Sequence, residues 1–524
     1  AAAGITAGAL ADDSSSSRPL HPARCASTAA AAVGPAATEV DKPETHRRRS
    51  YEYMRLPNGM QVILASDAAC DKAAAALAVG VGRLHEPKDM PGLAHFCEHM
   101  LFLGTEAFPD EAEYKRFIKG HGGNCNAATS DNYTCYMFDV APDFLCGALD
   151  RFSQFFRSPL FTPSATEREI NAVDSEHSMR ITDDGRRSYA ALLLDANPSH
   201  PLHWGSGNAK SLRDAPRARG EDPHARVVNF YKEHYSAEDM TLAVLGRQPL
   251  PELRRMVEER FADVRQTGRR ALRGDRHGGE EPAIKASDFA GLTLRVPSKD
   301  KRTIAFAWQL PQYQVPLWAS KPGAYASHII GHEGEGSLLS ALKAKGFATA
   351  LSAGVDDFGC FSHFEIEVTL TEQGLDHVEE VGELIFSYLR LVRASEVQSW
   401  VLDEMKQLRE VKFQFADDKQ PYDLVSTLAR NLQNFPPSAV LSAPVKLPAP
   451  DLAAAAEVLG LLTVDGVRVE LVAKRFADRC GEADPWYGGR FARLPLHGDW
   501  RAAWRRAGNG RPAAAEGGEA ERRA

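Results

Sequence analysis

The sequence predicts an α+β protein of two homologous domains, each a mostly antiparallel or mixed β-sheet packed with helices. Three observations predict it. At 524 residues the chain is too long for one ordinary core. Hydrophobic residues at 44% and charged residues at 25% are ordinary globular values, so most of the chain has a core to build. A succession of short strands and amphipathic helices runs once before a Gly-, Arg- and Glu-rich stretch at 266–288 and once after it.

Ordered patterning begins near Tyr53. Residues 60–65 and 75–81 read as strands from their apolar character, with Asn58-Gly59 as the turn before the first. A helix is predicted over 91–103, with Pro91 at its first position and Gly104 as its C-terminal cap. In 133–140, Thr134, Tyr136, Phe138 and Val140 alternate with Cys135, Met137 and Asp139, the pattern of a half-buried strand. Helices follow over 142–156 and from Ser164, where Ser164 and Glu167 make a capping box. A strand at 240–246 and a helix at 251–264 complete the first unit. Beyond the linker, strands at 292–296 and 303–310, a helical region over 324–345, a strand ending at Leu370 and a long helix over 371–392 repeat the order. Val140 and Leu370, 230 residues apart, are each followed at once by a long amphipathic helix, so an internal duplication is the economical account.

The predicted organisation is a low-complexity extension at 1–50, a metal-binding domain at 51–265, a linker at 266–288, a degenerate second domain at 289–496 and a low-complexity tail at 497–524. The net charge of −8 argues against a nucleic-acid partner, which needs a basic field. No apolar run is long enough for a membrane span, so no membrane partner is expected. The eight cysteines have neither metal-ligand spacing nor a dense disulfide framework, which suits free thiols in a reducing compartment. The chain starts with Ala1 rather than Met and reads as a fragment or processed product. Its first fifty residues are rich in Ala and Ser, poor in acids, and close on Arg47-Arg48-Arg49. They read either as a disordered extension of a cytoplasmic protein or as the end of a mitochondrial or plastid transit peptide.

The chemistry is concentrated in His95-Phe96-Cys97-Glu98-His99, an H-x-x-E-H pattern. On a helix, His95 and His99 lie one turn apart on one face and reach one ion, while Leu93, Phe96, Met100 and Leu103 form a separate apolar seam. Two histidines need a third protein ligand. Glu169 and Glu176, seven apart, fall on one helical face with Ala172 and Val173 between them. Glu176 is read as the ligand and Glu169 as the acceptor that orients an imidazole. Taken alone, the segment is equally compatible with two ordinary surface glutamates. Cys97 reads first as a buried packing residue and second as a thiol whose modification disturbs the site. In the second unit His328 and His332 are again four apart, with Gly331 where the acid would be. This half reads as a copy that lost the carboxylate, with a second metal site at His328, His332 and Glu333 the lesser alternative.

The run from His95 to Thr105 and the run from Asn171 to His177 resemble the insulysin branch of the pitrilysin family of inverted-zincin metallopeptidases. The 77 residues from His99 to Glu176 match that family's spacing to its third zinc ligand. Asn126-Ala127 before Thr129-Ser130 resembles the edge strand of the family's cleft and so implies substrate-binding roles for both. The segment from Gly331 to Ser340 and Trp486-Tyr487-Gly488 resemble parts of its second domain. The resemblance runs from about Tyr51 to about Leu496 and implies one Zn²⁺ per chain and small unstructured peptides as substrates. It also implies a departure. Family members carry four homologous domains closing as a clamshell, and this chain matches the first two. Groups that grip substrate come from the other half, so a C-terminal half or homologous subunit is the expected partner. The expected function is thus zinc metalloendopeptidase, with Glu98 as general base. The rival readings are a non-catalytic subunit that binds peptides or scaffolds a complex, and a metal-storing or regulatory protein. The complete motif disfavours the first, and Glu98, which storage does not need, disfavours the second.

Overall fold

A tight turn at Asn58 starts the first sheet, its side-chain amide donating to the carbonyls of Phe261 and Val264 at 2.8 and 3.0 Å. In the computed structural model, which describes residues 39–268, 282–310 and 315–509, this turn joins β1 (Ser50–Arg55) to β2 (Gln61–Ser66). The sheet also contains β3 (Ala73–Val79), β4 (Cys125–Thr129), β5 (Thr134–Val140) and β6 (Met240–Gly246). Its order is β1-β2-β6-β3-β5-β4, with β2 and β6 parallel and every other pair antiparallel.

The second sheet contains β7 (Gly291–Arg295), β8 (Thr303–Leu310), β9 (Ala348–Asp357), β10 (Ser362–Leu370), β11 (Arg468–Val472), β12 (Glu482–Ala483) and β13 (Arg490–Leu494). Its order, β12-β13-β7-β11-β8-β10-β9, repeats the first, with β7 and β11 the one parallel pair. The copies differ at one edge. The strand antiparallel to β2 precedes it in the chain, whereas the strand antiparallel to β7 comes from the far end of its unit. The duplicated α+β architecture is therefore present in the topology itself.

The expected half-buried strand is corrected by the structure: all seven residues of β5 are buried, as are all of β3 and β6. One face packs on helices Leu93–Leu101, Leu145–Arg157 and Leu250–Phe261. The other is covered by helix Pro421–Asn434 from the second half of the chain. Leu424, Val425, Leu428 and Leu432 of that helix lie on Ala74, Ala76 and Ala78 of β3 and on Ala243 and Leu245 of β6. Small alanines let the helix come close enough for Gln433 Nε2 to donate to the Ala78 carbonyl at 2.9 Å. Burial on both faces also explains how an alanine-rich run settles as a strand despite weak intrinsic preference.

Other expectations are corrected too. A 3-10 turn, Pro163–Ala165, runs straight into helix Thr166–Met179, and the Ser164–Glu167 capping box does not form. Pro163 starts the coil one turn early. The helical region expected over 324–345 is two helices, Gly323–Ile330 and Leu338–Ala344. The long helix expected over 371–392 breaks at His377 into Glu372–Asp376 and Val378–Ala394. Part of the expected linker forms a short helix, Ala286–Phe289, and its residues 269–281 lie outside the described residues.

The described residues include part of each expected low-complexity end. Of the extension at 1–50, residues 39–50 are ordered. Arg49 is buried, pairs with both oxygens of Asp418 at 2.6 and 2.7 Å, and reaches Asp67 at 2.9 Å. The remainder, 1–38, lies outside the described residues, as do 510–524 of the tail. Residues Gly498–Asn509 of that tail form a helix against Val378–Ala394. Trp504 on it is fully buried between Phe306 and Phe386 and donates to the Glu379 carbonyl at 2.8 Å. Gly382 makes the room, since a Cβ there would sit 2.1 Å from the indole. Trp504→Ala is expected to lower stability by about 3–5 kcal/mol, the usual cost of emptying a core aromatic site. Urea unfolding measures it, and a change below about 1 kcal/mol would remove this helix from the core.

Among the described residues no two cysteines form a disulfide. Among the described residues no helix is long and apolar enough to cross a membrane.

Candidate metal centre

Helix Leu93–Leu101 carries the H-x-x-E-H residues and is anchored by its apolar side, with Leu93, Phe96, Cys97, Met100 and Leu101 buried. Its start is held by Gly92, at φ +95°, which lies so close to Gly207 that a Cβ would approach the Gly207 Cα to 2.3 Å. Two of the helix's otherwise unpaired N–H groups, those of Gly92 and Ala94, donate to the two oxygens of Glu86 at 2.7 and 2.9 Å. Burial pushes the Glu86 carboxyl up to about 7, against the pull of these N–H groups. Sequence reasoning missed Glu86. It caps the helix from outside its own first turn, so no capping pattern marks it.

The imidazoles of His95 and His99 stand edge to face, with centroids 4.8 Å apart. Glu176, on helix Thr166–Met179, reaches both: Oε2 is 3.6 Å from His95 Nε2 and Oε1 is 3.5 Å from His99 Nε2. The three donor atoms lie within 4.8 Å of one another. Tetrahedral bonds of about 2.1 Å would place donors roughly 3.4 Å apart, so separations of 3.6 and 3.5 Å suit a zinc ion. Two neutral imidazoles and one carboxylate, with a fourth position left for water, are also the donor chemistry zinc takes in open sites.

Supporting contacts set the imidazoles. His99 Nδ1 lies 3.2 Å from Glu169 Oε2, and donation there leaves Nε2 unprotonated toward Glu176. Burial works to raise the Glu169 carboxyl, but the bonds from His99 and Arg168 outweigh it and hold it below the usual range. Burial, helped by the positive charge of Arg180 and Arg186, lowers His95 to about 3, which keeps the ring neutral. Arg180 also lies 3.4 Å from Glu176 Oε2.

Glu98 is buried at 7% exposure, between the two histidines in sequence. The Thr129 hydroxyl donates to its Oε2 at 2.5 Å. Burial pushes the Glu98 carboxyl up to about 7, with the Thr129 bond acting in the opposite sense. Thr129 ends β4, which pairs only with β5 among the described strands and forms the free edge of its sheet. That edge, with Asn126 exposed and Ala127 buried, lines a cavity of about 860 Å³ into which His95, Glu98, His99 and Glu176 also face.

The second domain contributes a wall. His177, next to Glu176, has Nε2 2.8 Å from the Trp486 carbonyl and stacks on Tyr487 at 5.0 Å. Asp484 shapes that turn by accepting the N–H groups of Trp486, Tyr487 and Gly489 at 3.0, 2.6 and 2.6 Å. No local pattern marks the contacts of His177 with this turn, which join residues more than 300 positions apart.

The alternative metal site in the second unit does not assemble. Helix Gly323–Ile330 ends before His332, so His328 and His332 are not one helical turn apart. His332 Nδ1 instead accepts the Gly334 N–H at 3.0 Å. Cys97 is fully buried, and burial pushes its thiol well up, as a packing residue requires.

Comparison with known proteins gives the family. The family model of the insulinases, peptidase family M16, matches residues 61–192, that of the M16 inactive domain matches 224–409, and that of the middle or third M16 domain matches 413–515. The insulin-degrading enzyme of Drosophila melanogaster is 39% identical over 460 residues, covering 87% of this chain and 46% of the relative. The chain belongs to peptidase family M16, on its insulysin-like side. This M16 chain is likewise 39% identical to the insulin-degrading enzyme of Homo sapiens, over 88% of its own length and 45% of the relative's. It is 37% identical to the A-factor-processing enzyme of Saccharomyces cerevisiae, over 85% and 43%. The crystal structure of pitrilysin superimposes with a TM-score of 0.84 at 27% identity, covering 90% of this chain and 49% of that one. A Helicobacter pylori protease shares the fold, with a TM-score of 0.62 at 17% identity, over 81% of this chain and 99% of its own. The chain thus spans about half the length of the curated relatives it matches.

Proposed function

We propose that this chain is the zinc-dependent part of a metalloendopeptidase that hydrolyses small, unstructured peptides, and that it reaches full activity with a second, homologous half. The observation that carries the reading is the convergence of His95, His99 and Glu176 beside a buried Glu98, at the end of an unpaired strand edge. Membership of M16, whose named relatives include insulin-degrading enzymes and pitrilysin, supports the reaction class.

His95, His99 and Glu176 would hold one zinc ion. When bound, zinc supplies Lewis acidity, drawing the pKa of water from about 16 toward about 7 and polarising the scissile carbonyl. The other roles belong to side chains of this chain. Glu98 takes the proton of the attacking water on Oε1, the oxygen that Thr129 leaves free, and returns it to the nitrogen of the departing amine. Glu169 holds the His99 tautomer. The edge of β4, through Asn126 and Ala127, receives an extended peptide as an added strand, so backbone hydrogen bonds hold substrate with modest side-chain preference.

The test is cleavage of quenched fluorescent peptides alongside metal analysis. The chain alone is expected to be folded and zinc-loaded, with weak activity. Adding the C-terminal half of a homologue should raise turnover substantially at equal zinc occupancy, because groups that act only in the transition state change rate more than metal affinity. Equal rates with and without that half would make the two-domain unit a complete enzyme. No cleavage by the reconstituted, zinc-loaded pair would favour a peptide-binding subunit.

A further inference from the structure

A second group of metal-ligating side chains lies on the second sheet, apart from the residues of the first. The register of β9 and β10 sets Asp356 directly across from His363, and Glu365 follows His363 on the same face of β10. His363 Nε2 lies 3.2 Å from Asp356 Oδ2 and 3.8 Å from Glu365 Oε2. The three donor atoms lie within 4.8 Å of one another, the same limit that His95, His99 and Glu176 meet.

Two further observations point to a cation there. His363 is only 5% exposed, and its Nε2 faces both carboxylates. Among the described residues, the polar contacts of this buried imidazole are with these two carboxylates. The two carboxylates also share one imidazole, since among the described residues Asp356 and Glu365 make ion-pair contact with His363 alone. Asp356, Glu470 and Glu367 all bear on Glu365, and among the described residues no Lys or Arg makes an ion pair with it. The nearby cations are committed elsewhere, Arg468 to Asp195, Arg295 to Glu470 and Lys301 to Glu367.

The same face encloses a cavity of about 170 Å³, floored by Ala305 and Ala307 and roofed by Ser188 and Tyr189 of helix Asp184–Leu193 in the first domain. A water occupies about 30 Å³, so an ion and its remaining waters fit. Asp356 is exposed, which gives an entry path. One imidazole nitrogen and two carboxylates, with the other positions filled by water, suit a zinc-type dication better than calcium or magnesium, which take oxygen donors.

We infer that Asp356, His363 and Glu365 form a second divalent-metal site of the zinc type, between the second sheet and the first domain. The competing account is a simple ion pair of His363 with Asp356, which needs neither Glu365 nor a metal.

Equilibrium dialysis against Zn²⁺, followed by metal analysis, separates the two. The unaltered chain should bind two zinc ions, one tightly and one more weakly. Glu176→Gln, which disables the first donor set, should keep the weaker ion. Glu365→Gln, a near-isosteric change at a half-buried position, should weaken that ion about tenfold or more and leave the tight one unchanged. His363→Asn should act in the same way, and should it fail to fold, the Glu365→Gln result decides. Absence of any zinc in the Glu176→Gln chain, or a second zinc indifferent to Glu365→Gln, would overturn the inference. A single tight zinc that survives Glu176→Gln and is lost in Glu365→Gln would instead overturn the assignment of the first site.

Discussion

Glu98→Gln is expected to abolish nearly all peptide cleavage while leaving zinc content unchanged. The substitution keeps the size of the side chain and an oxygen that can still accept from Thr129, so neither the burial nor that contact is lost. The three metal donors are untouched, because Glu98 faces the cavity beside them rather than completing the set. What disappears is the group that takes and returns the proton, and such losses run to roughly 10²–10⁴ in rate. The measurement is turnover on a quenched peptide by the reconstituted pair, at matched zinc occupancy. A variant that cleaves like its parent would remove Glu98 from the mechanism.

Glu176→Gln is expected to produce the largest loss of metal at the first site. Its carboxylate is the only anionic donor there, and it reaches both imidazoles, at 3.6 and 3.5 Å. An amide in its place offers one weak oxygen and no charge. Glu169→Gln should cost less, about 10–100-fold in affinity, because Glu169 acts through His99. Zinc titration of the two variants checks the order. Full retention in Glu176→Gln, with loss in Glu169→Gln, would exchange the two roles.

The local features of the first site were legible because they lie within single helices. His95 and His99 share a face through helical spacing alone, and the seam that buries the same helix is visible beside them. The duplicated sheet order was legible for a related reason, since apolar periodicity reports which strands and helices exist and in what sequence. The two glutamates could be placed on one face, but whether that face met the histidines was open until helix packing set Glu176 against both rings.

What escaped the sequence depends on residues far apart in the chain. Strand β5 looks half-buried by its alternation, yet helix Pro421–Asn434 covers the other face of its sheet. Glu86, Thr129 and the Trp486–Tyr487 turn complete the site from three separate segments. Trp504 draws a polar, alanine-rich tail into the second core through one large side chain that finds a glycine opposite. The Asp356–His363–Glu365 group arises from strand register and a helix of the other domain. The sequence by itself determined the spacing of His95, Glu98 and His99, the strand and helix order and the repeat, because each follows from periodicity along the chain. Only the tertiary structure decided which faces are covered, which carboxylates lose their water and which side chains meet, because burial depends on what packs from elsewhere in the chain.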